Sequence, residues 1–557
     1  MGLAIGDVNN DGWPDIHVSN DYITNDILYI NNQNGTFTNQ TKDLLRHQSQ
    51  FSMGSDMSDV NNDGLPDLIT IDMLGEDSYR KKTTIGKNVY QTYLNNEEFG
   101  YEYQYVRNML HLNNGPGLPF SEVGMLAGVY QTDWSWAPLF ADVDNDGNRD
   151  LLITNGFPRD ITDKDFANYR ADVGNIASTR QLLDSIPIVK IPNYAYKNLG
   201  DLRFENVADQ WGLGKAIHSN GSAYGDLDND GTLDLVVNNV NATAQIFKNK
   251  GKTLLPENHS IQLQLTGKGK NTAAIGAQIQ VKVGEEIFYT EQMPNRGFQS
   301  SVDPKITIGL GKATVIDQIK VLWPDGAYTQ LTQVKPDQLL NLKWTEAGKL
   351  PEGSSFFQAP SAARFVKSTA AVLDFTHQEN EFVDFDRDRL TYLMLSTEGP
   401  AVAEGDVNGD GLADLYFGGS KTFAGKLYLK TAQGNYRYLP QEAFELDALS
   451  EDSDALFFDA DQDGDADLFV TSGGNESGFG SPDLADRLYL NDGKGNFTKG
   501  FHTGLAGVFG SSAFVVPMDI NADGALDLVV GGRLVPFTYG APADSQLWIN
   551  DGKGNFT

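Results

Sequence analysis

One nine-residue phrase, repeated seven times, constrains this chain more than anything else in it. The phrase reads Asp, any residue, Asp or Asn, any residue, Asp, Gly, two further residues, Asp. It starts at Asp7, Asp59, Asp142, Asp226, Asp406, Asp459 and Asp519. This spacing lets side-chain oxygens at positions 1, 3, 5 and 9, with the carbonyl at position 7, converge on one hard cation; calcium takes six to eight oxygens at about 2.3–2.6 Å. Glycine at position 6 allows the backbone to turn sharply. The candidate ligands are Asp7, Asn9, Asp11 and Asp15; Asp59, Asn61, Asp63 and Asp67; Asp142, Asp144, Asp146 and Asp150; Asp226, Asp228, Asp230 and Asp234; Asp406, Asn408, Asp410 and Asp414; Asp459, Asp461, Asp463 and Asp467; and Asp519, Asn521, Asp523 and Asp527. The position-7 carbonyls belong to Trp13, Leu65, Asn148, Thr232, Leu412, Asp465 and Ala525. Up to seven structural Ca²⁺ ions are expected.

Helix-flanked calcium loops require an acidic ligand at position 12. Here position 12 holds Val18, Thr70, Ile153, Val237, Phe417, Val470 and Val530. The loop therefore closes at position 9 and feeds a short β-branched run such as Asp234-Leu235-Val236-Val237, which reads as a buried strand. A second phrase follows most loops, as in Leu28-Tyr29-Ile30-Asn31-Asn32 with Gly35-Thr36-Phe37, and Leu488-Tyr489-Leu490-Asn491-Asp492-Gly493-Lys494-Gly495-Asn496-Phe497. Apolar runs around a polar Gly-containing turn are hairpin chemistry. Loop, strand and hairpin make one small antiparallel sheet, which cannot bury both faces alone; sheets of this period stack radially into β-propellers.

These loops resemble FG-GAP/VCBS repeats, similar to the calcium-loaded blades of integrin α-subunits. Residues 258–344 resemble a different module, the ASPIC/UnbV domain, through Gly267-Lys268-Gly269-Lys270-Asn271, Ile275-Gly276-Ala277, Arg296-Gly297-Phe298-Gln299-Ser300-Ser301, Ile308-Gly309-Leu310-Gly311 and Val321-Leu322-Trp323-Pro324-Asp325-Gly326. The resemblance implies a large secreted or surface protein of a Gram-negative bacterium, a combination also found in cartilage acidic protein. It implies no particular reaction.

The expected fold is all-β: blades with Asp-rich calcium loops, forming two incomplete propellers around a β-sandwich-like domain, with short helical insertions. The expected boundaries are 1–255 for four loops and their blades, 256–346 for the ASPIC/UnbV domain, 347–364 for a linker, and 365–557 for three more loops. Wide spacing around Asp142 places insertions near 73–108, which is Tyr-rich, and near 157–192. In the latter, helices are expected over Asp163–Arg170 and Ser178–Leu183. Residues 258–344 alternate on period two, as in Ile261-Gln262-Leu263-Gln264-Leu265. The chain reads as truncated at both ends, so that a signal peptide would be missing from it.

The net charge is −33, and 24 of the 28 side-chain ligand positions are aspartate. Such acidity argues against nucleic acid as a partner. No apolar run is long enough to span a bilayer. There is no cysteine, hence no disulfide or thiol chemistry. Sites binding at ~0.1 mM and exposed to ~1 mM Ca²⁺ would each contribute roughly 1.4 kcal/mol, and such weak sites fill only outside the cytoplasm. The seven histidines are scattered, and no zinc-protease, nucleophile-elbow or phosphate-loop motif is present. No catalytic residue is assigned. The function expected is a calcium-stabilised extracellular binding or scaffold protein, for cell-surface adhesion or glycan capture, with a glycan or surface protein as partner. The alternative is a secreted polysaccharide-degrading enzyme with its site on a propeller face. The Tyr-rich insertion is the candidate interaction surface, with packing of the insertion as the competing role; Trp134 and Trp136 read as core.

Overall fold

Each of the seven loops does feed a strand, and in every copy the strand begins at the position-9 aspartate: Asp15–Val18, Asp67–Thr70, Asp150–Asn155, Asp234–Asn239, Asp414–Phe417, Asp467–Ser472 and Asp527–Leu534. The structure, a computed structural model, describes residues 1–84, 88–357, 373–391, 393–500 and 509–557. It is all-β in architecture, with short helices in the connections. The chain divides into two compact units, Met1–Ser361 and Ala362–Thr557.

In the first unit each repeat is an antiparallel meander. Sheet one comprises Leu3–Gly6, Asp15–Val18, Ile27–Asn31 and Phe37–Asn39. Sheet two comprises Ser55–Ser58, Asp67–Thr70, Met109–Leu112 and Ser121–Glu122, and sheet three Ser135–Ala141, Asp150–Asn155, Tyr194–Asn198 and Phe204–Asn206. Sheet four has three strands, Ser219–Gly225, Asp234–Asn239 and Gln245–Phe247. The first strands of consecutive sheets pack side by side. Between sheets two and three lies the largest apolar cluster, with Ile69, Leu110, Trp136, Phe140, Leu151 and Tyr194. Trp134 and Trp136 are core residues, as their sequence context suggests.

Both insertions leave the repeat at the same point, between its second and third strands, at the end opposite the Asp-rich loop. The helix Lys164–Val173 is capped by Asp163, and Thr179–Ser185 by a Ser178/Gln181 capping box. The Tyr-rich insertion also forms helices, Ser78–Thr83 and Tyr90–Phe99, which its weak apolar periodicity did not announce. Tyr93 stacks on both Tyr90 and Tyr103. Of this insertion's tyrosines, Tyr79 is the most open to solvent. Arg80 ties the two insertions together, through Nε to Asp133 at 2.8 Å and Nη1 to Asp160 at 2.5 Å.

Residues 260–349 form two sheets around a shared core of Ile261, Leu263, Ile279, Val281, Ile319 and Trp323. One sheet holds Ile306–Gly309, Ser260–Thr266 and Leu339–Lys343, the last two parallel. The other holds Glu286–Glu291, Gln278–Val283, Ile316–Leu322, Ala327–Val334 and Gly348–Lys349. The segment expected as a linker from residue 347 thus starts inside this sheet, and Phe356 packs with Tyr289 and Tyr328; an aromatic pair outweighs the Pro/Ser composition that suggested a free chain. Residues 358–364 of that expected linker lie outside the described residues.

The second unit repeats the meander three times. Sheet five is Val402–Gly405, Asp414–Phe417, Lys426–Lys430 and Tyr436–Leu439. Sheet six is Asp452–Phe458, Asp467–Ser472, Arg487–Asn491 and Phe497–Lys499. Sheet seven is Ser511–Met518, Asp527–Leu534 and Gln546–Trp548. Apolar clusters lie between sheets five and six and between six and seven.

Candidate metal loops and their supports

The sequence of each loop dictates a fixed set of internal hydrogen bonds. Position 4 sits in the left-handed region in all seven copies, at φ between 57° and 73°, which Asn and Gly tolerate best and which explains Asn10, Asn62, Asn145, Asn229 and Gly409. Glycine at position 6 has φ between 81° and 95°, so its requirement is conformational. The resulting turn brings the position-6 N–H to Oδ2 of position 1 at 2.6–3.1 Å in every loop. The position-7 N–H donates to Oδ1 of position 5 at 2.8–3.1 Å.

Position 9 has a second task that spacing alone did not reveal. Its Oδ2 accepts the position-2 N–H at 2.8–3.1 Å in all seven copies. Its Oδ1 accepts an N–H from the end of the third strand at 2.7–3.0 Å. All seven position-9 aspartates are buried. The carboxylate fastens the loop to its sheet, a role that demands aspartate whatever else it binds.

The asparagine closing the third strand was also missed as a functional residue. Its side-chain amide donates to the position-8 carbonyl of its own loop and to the position-2 carbonyl of the preceding one. Asn113 reaches Val8, Asn198 reaches Val60, Asn249 reaches Val143, Asn491 reaches Val407 and Asn550 reaches Ala460, all at 2.7–2.9 Å. Some position-4 amides reach forward: Asn62, Asn145 and Gln462 donate to the position-6 carbonyl of the next loop at 3.1–3.2 Å. Neighbouring loops are therefore linked in both directions. The signal in the sequence was the recurring Asn after Leu-Tyr-Leu; its partner was invisible because it lies about ninety residues or more away in most pairs.

Oxygens of Asp142, Asp144 and Asp146 lie within 4.8 Å of one another, as do those of Asp226, Asp228 and Asp230, and of Asp459, Asp461 and Asp467. Oxygens on one Ca²⁺ at 2.3–2.6 Å span up to about 5 Å, so these sets fit the ion. Burial pushes the carboxyl of Asp142 up to about 8, with Asp146 and Asp144 adding like charge. Burial likewise raises Asp59 to about 7 and Asp7 to about 6. Arg149 partly offsets this for Asp59 and Asp142, and a divalent cation relieves what remains.

The sandwich of residues 260–349 lies against the loops of the first unit. Gln278 donates to Asp7 Oδ2 at 2.6 Å, and Glu291 accepts the Asp7 N–H at 3.0 Å. Gln262 donates to Asp226 Oδ2 at 2.7 Å, and Asn258 to the Asp144 carbonyl at 2.8 Å. A hairpin of this domain, Asn295–Arg296 with Ser300–Ser301, touches the first strands of sheets one, two and four, and its Phe298 ring lies 5.0 Å from that of Trp136 in sheet three. Arg296 is buried and donates to Asp56 Oδ1 at 3.0 Å and to the Met57 carbonyl at 2.9 Å.

Family comparison settles what these two modules are. A model described as "ASPIC and UnbV" matches residues 267–349, and one described as "FG-GAP-like repeat" matches 7–70, 406–470 and 459–530. The chain carries FG-GAP-like repeats and an ASPIC/UnbV domain. The Asp-rich loops at Asp142 and Asp226 lie outside the matched stretches. Both matched families are repeat or binding-type domains, with no enzymatic family between them. No curated protein matches the chain. A crystal structure of Bap1, a biofilm matrix protein of V. cholerae, is similar at 10% identity over 98% of this chain and 76% of that one; its TM-score of 0.17 carries no argument about the fold. No helix among the described residues is long and apolar enough to cross a membrane.

Proposed function

We propose that this chain is a calcium-stabilised binding and scaffold protein of the cell exterior, with its FG-GAP sheets acting as propeller blades. The observation that carries the reading is the common loop scaffold. In all seven copies backbone N–H groups hold Oδ2 of position 1 and Oδ1 of position 5 and leave Oδ2 of position 5 free of backbone bonds, and in loops three, four and six the oxygens of three aspartates lie within 4.8 Å of one another. Ligation would come from the 28 side chains at positions 1, 3, 5 and 9, the last sharing its oxygens with backbone N–H groups. Seven divalent ions would bring the net charge from −33 to about −19. Sites of this open, carboxylate-rich kind fill at the millimolar calcium of the exterior, which supports a location outside the cytoplasm; we assign the protein to the surface of a Gram-negative cell.

Adhesion or glycan capture is the role we assign to the assembled blades. The test is binding to a glycan array with a parallel assay for released reducing sugar. Binding without release supports capture; release of reducing ends supports the enzymatic alternative instead.

A further inference from the structure

The seven loops differ in one place that two distant sequence positions share. Position 3 is Asn in loops one, two, five and seven (Asn9, Asn61, Asn408, Asn521) and Asp in loops three, four and six (Asp144, Asp228, Asp461). The residue two strands later, just before the site of the closing asparagine, is aliphatic in five copies: Ile30, Leu112, Leu429, Leu490 and Ile549. In the remaining two it is Lys197 and Lys248, and these belong to loops three and four.

Geometry connects the two differences. Lys197 Nζ bonds Asp144 Oδ2 and lies 3.0 Å from Asp146 Oδ2; Lys248 Nζ bonds Asp228 Oδ2. In loops one, two and seven the position-3 asparagine itself donates Nδ2 to Oδ2 of position 5, at 3.1, 2.9 and 2.7 Å. The lysine thus meets in loop three the same oxygen that the asparagine amide meets elsewhere. Where a carboxylate replaces that amide, an ammonium arrives from the third strand. Loop six breaks the rule. It has Asp461 at position 3, a further Asp465 at position 7, and Leu490 in the lysine's place. No basic side chain pairs with its five aspartates among the described residues. Asp459 Oδ1 and Asp465 Oδ1 there are buried and have no hydrogen-bond partner.

We propose that Lys197 and Lys248 are internal counter-ions that hold loops three and four folded when no divalent ion is bound and compete with that ion. The loops are then graded: loop six, with five carboxylates and no ammonium, takes calcium first, and loops three and four take it last. A ligand set's charge sets calcium affinity, and an ammonium between two carboxylates occupies the position a cation needs. Lys197 spans two carboxylates and is 27% exposed, whereas Lys248 meets one and is 65% exposed, so Lys197 carries more of the effect. This inference rests on the calcium reading above.

The experiment is hydrogen exchange of loop amides in the full chain across a titration of free Ca²⁺, starting from chelator. In the parent protein, residues 459–467 gain protection at the lowest calcium and 142–150 at a concentration at least tenfold higher. Lys197→Met lowers the midpoint of 142–150 by about five- to tenfold and speeds its exchange in chelator, while 459–467 stays unchanged. Lys197→Arg, which keeps the charge, restores slow exchange in chelator, and Leu490→Lys raises the midpoint of 459–467. An unchanged midpoint in Lys197→Met, with calcium still protecting the loops, overturns the counter-ion role. Absence of any calcium-dependent protection in all seven loops overturns the calcium reading itself.

Discussion

Glu451 is a buried group outside the Asp-rich loops whose proton binding differs between the folded and unfolded chain. Burial pushes its carboxyl up to about 8, helped by the neighbouring charges of Glu379 and Glu476, against one hydrogen bond from the Lys421 N–H. A carboxyl raised in the folded state binds its proton there while the unfolded chain has already lost it. Between about pH 4.5 and pH 8 stability therefore falls as pH rises. Glu451→Gln fixes the neutral form. It should match the parent at pH 5 and exceed it at pH 9, by an amount on the order of 2 kcal/mol in denaturant unfolding of the second unit. Equal stability at both pH values would refute this. Arg296 poses the reverse case. Arg296→Met strands the buried Asp56 carboxylate without its partner, and should cost about 3–5 kcal/mol in unfolding of the first unit. The parallel variant Asp56→Asn with Arg296→Met should recover part of that loss. The sequence singled out Arg296 as a motif residue but offered no partner, because Asp56 lies 240 residues away.

At the scale of the repeat, much was legible. The Asp-Gly turn and the β-branched run after it located the loop and its second strand in every copy, and the hairpin phrase located the following strand in most, because each depends on residues a few positions apart. Spacing also put position 9 at the start of a strand. What spacing could not show was that both its oxygens accept backbone N–H groups, since one donor sits in the third strand. The linking asparagines were hidden for the same reason. Asn198→Ala removes bonds to loops two and three at once and should destabilise the first unit by about 1–3 kcal/mol. Asn31, whose amide reaches only the Pro14 carbonyl, should cost less when replaced by Ala. Thermal melts of the two variants compare them directly; equal losses would show that the bond to the preceding loop contributes nothing.

For the whole molecule, composition and repeats pointed to modules in series, and the first unit departs from that picture. The ASPIC/UnbV domain lies against Asp-rich loops one, three and four, while its hairpin contacts all four sheets. Long-range pairing of this kind leaves no periodic mark in a sequence; Gln262, Gln278 and Glu291 fall on polar positions of alternating strands and look there like any half-buried sheet face. Chelation should therefore loosen more than the loops. Hydrogen exchange across residues 294–302 should quicken in chelator together with loops one to four, while the sandwich strand Ser260–Thr266 stays protected by its own core. Uniform loosening of the entire sandwich would contradict that division. Beneath all of this is the reading of the loops as cation cages. Its most direct measurement is the calcium content of the purified full chain after dialysis against millimolar Ca²⁺ and removal of free ion. The account predicts several calcium ions per chain, up to seven, lost on treatment with chelator; a protein carrying none would contradict it.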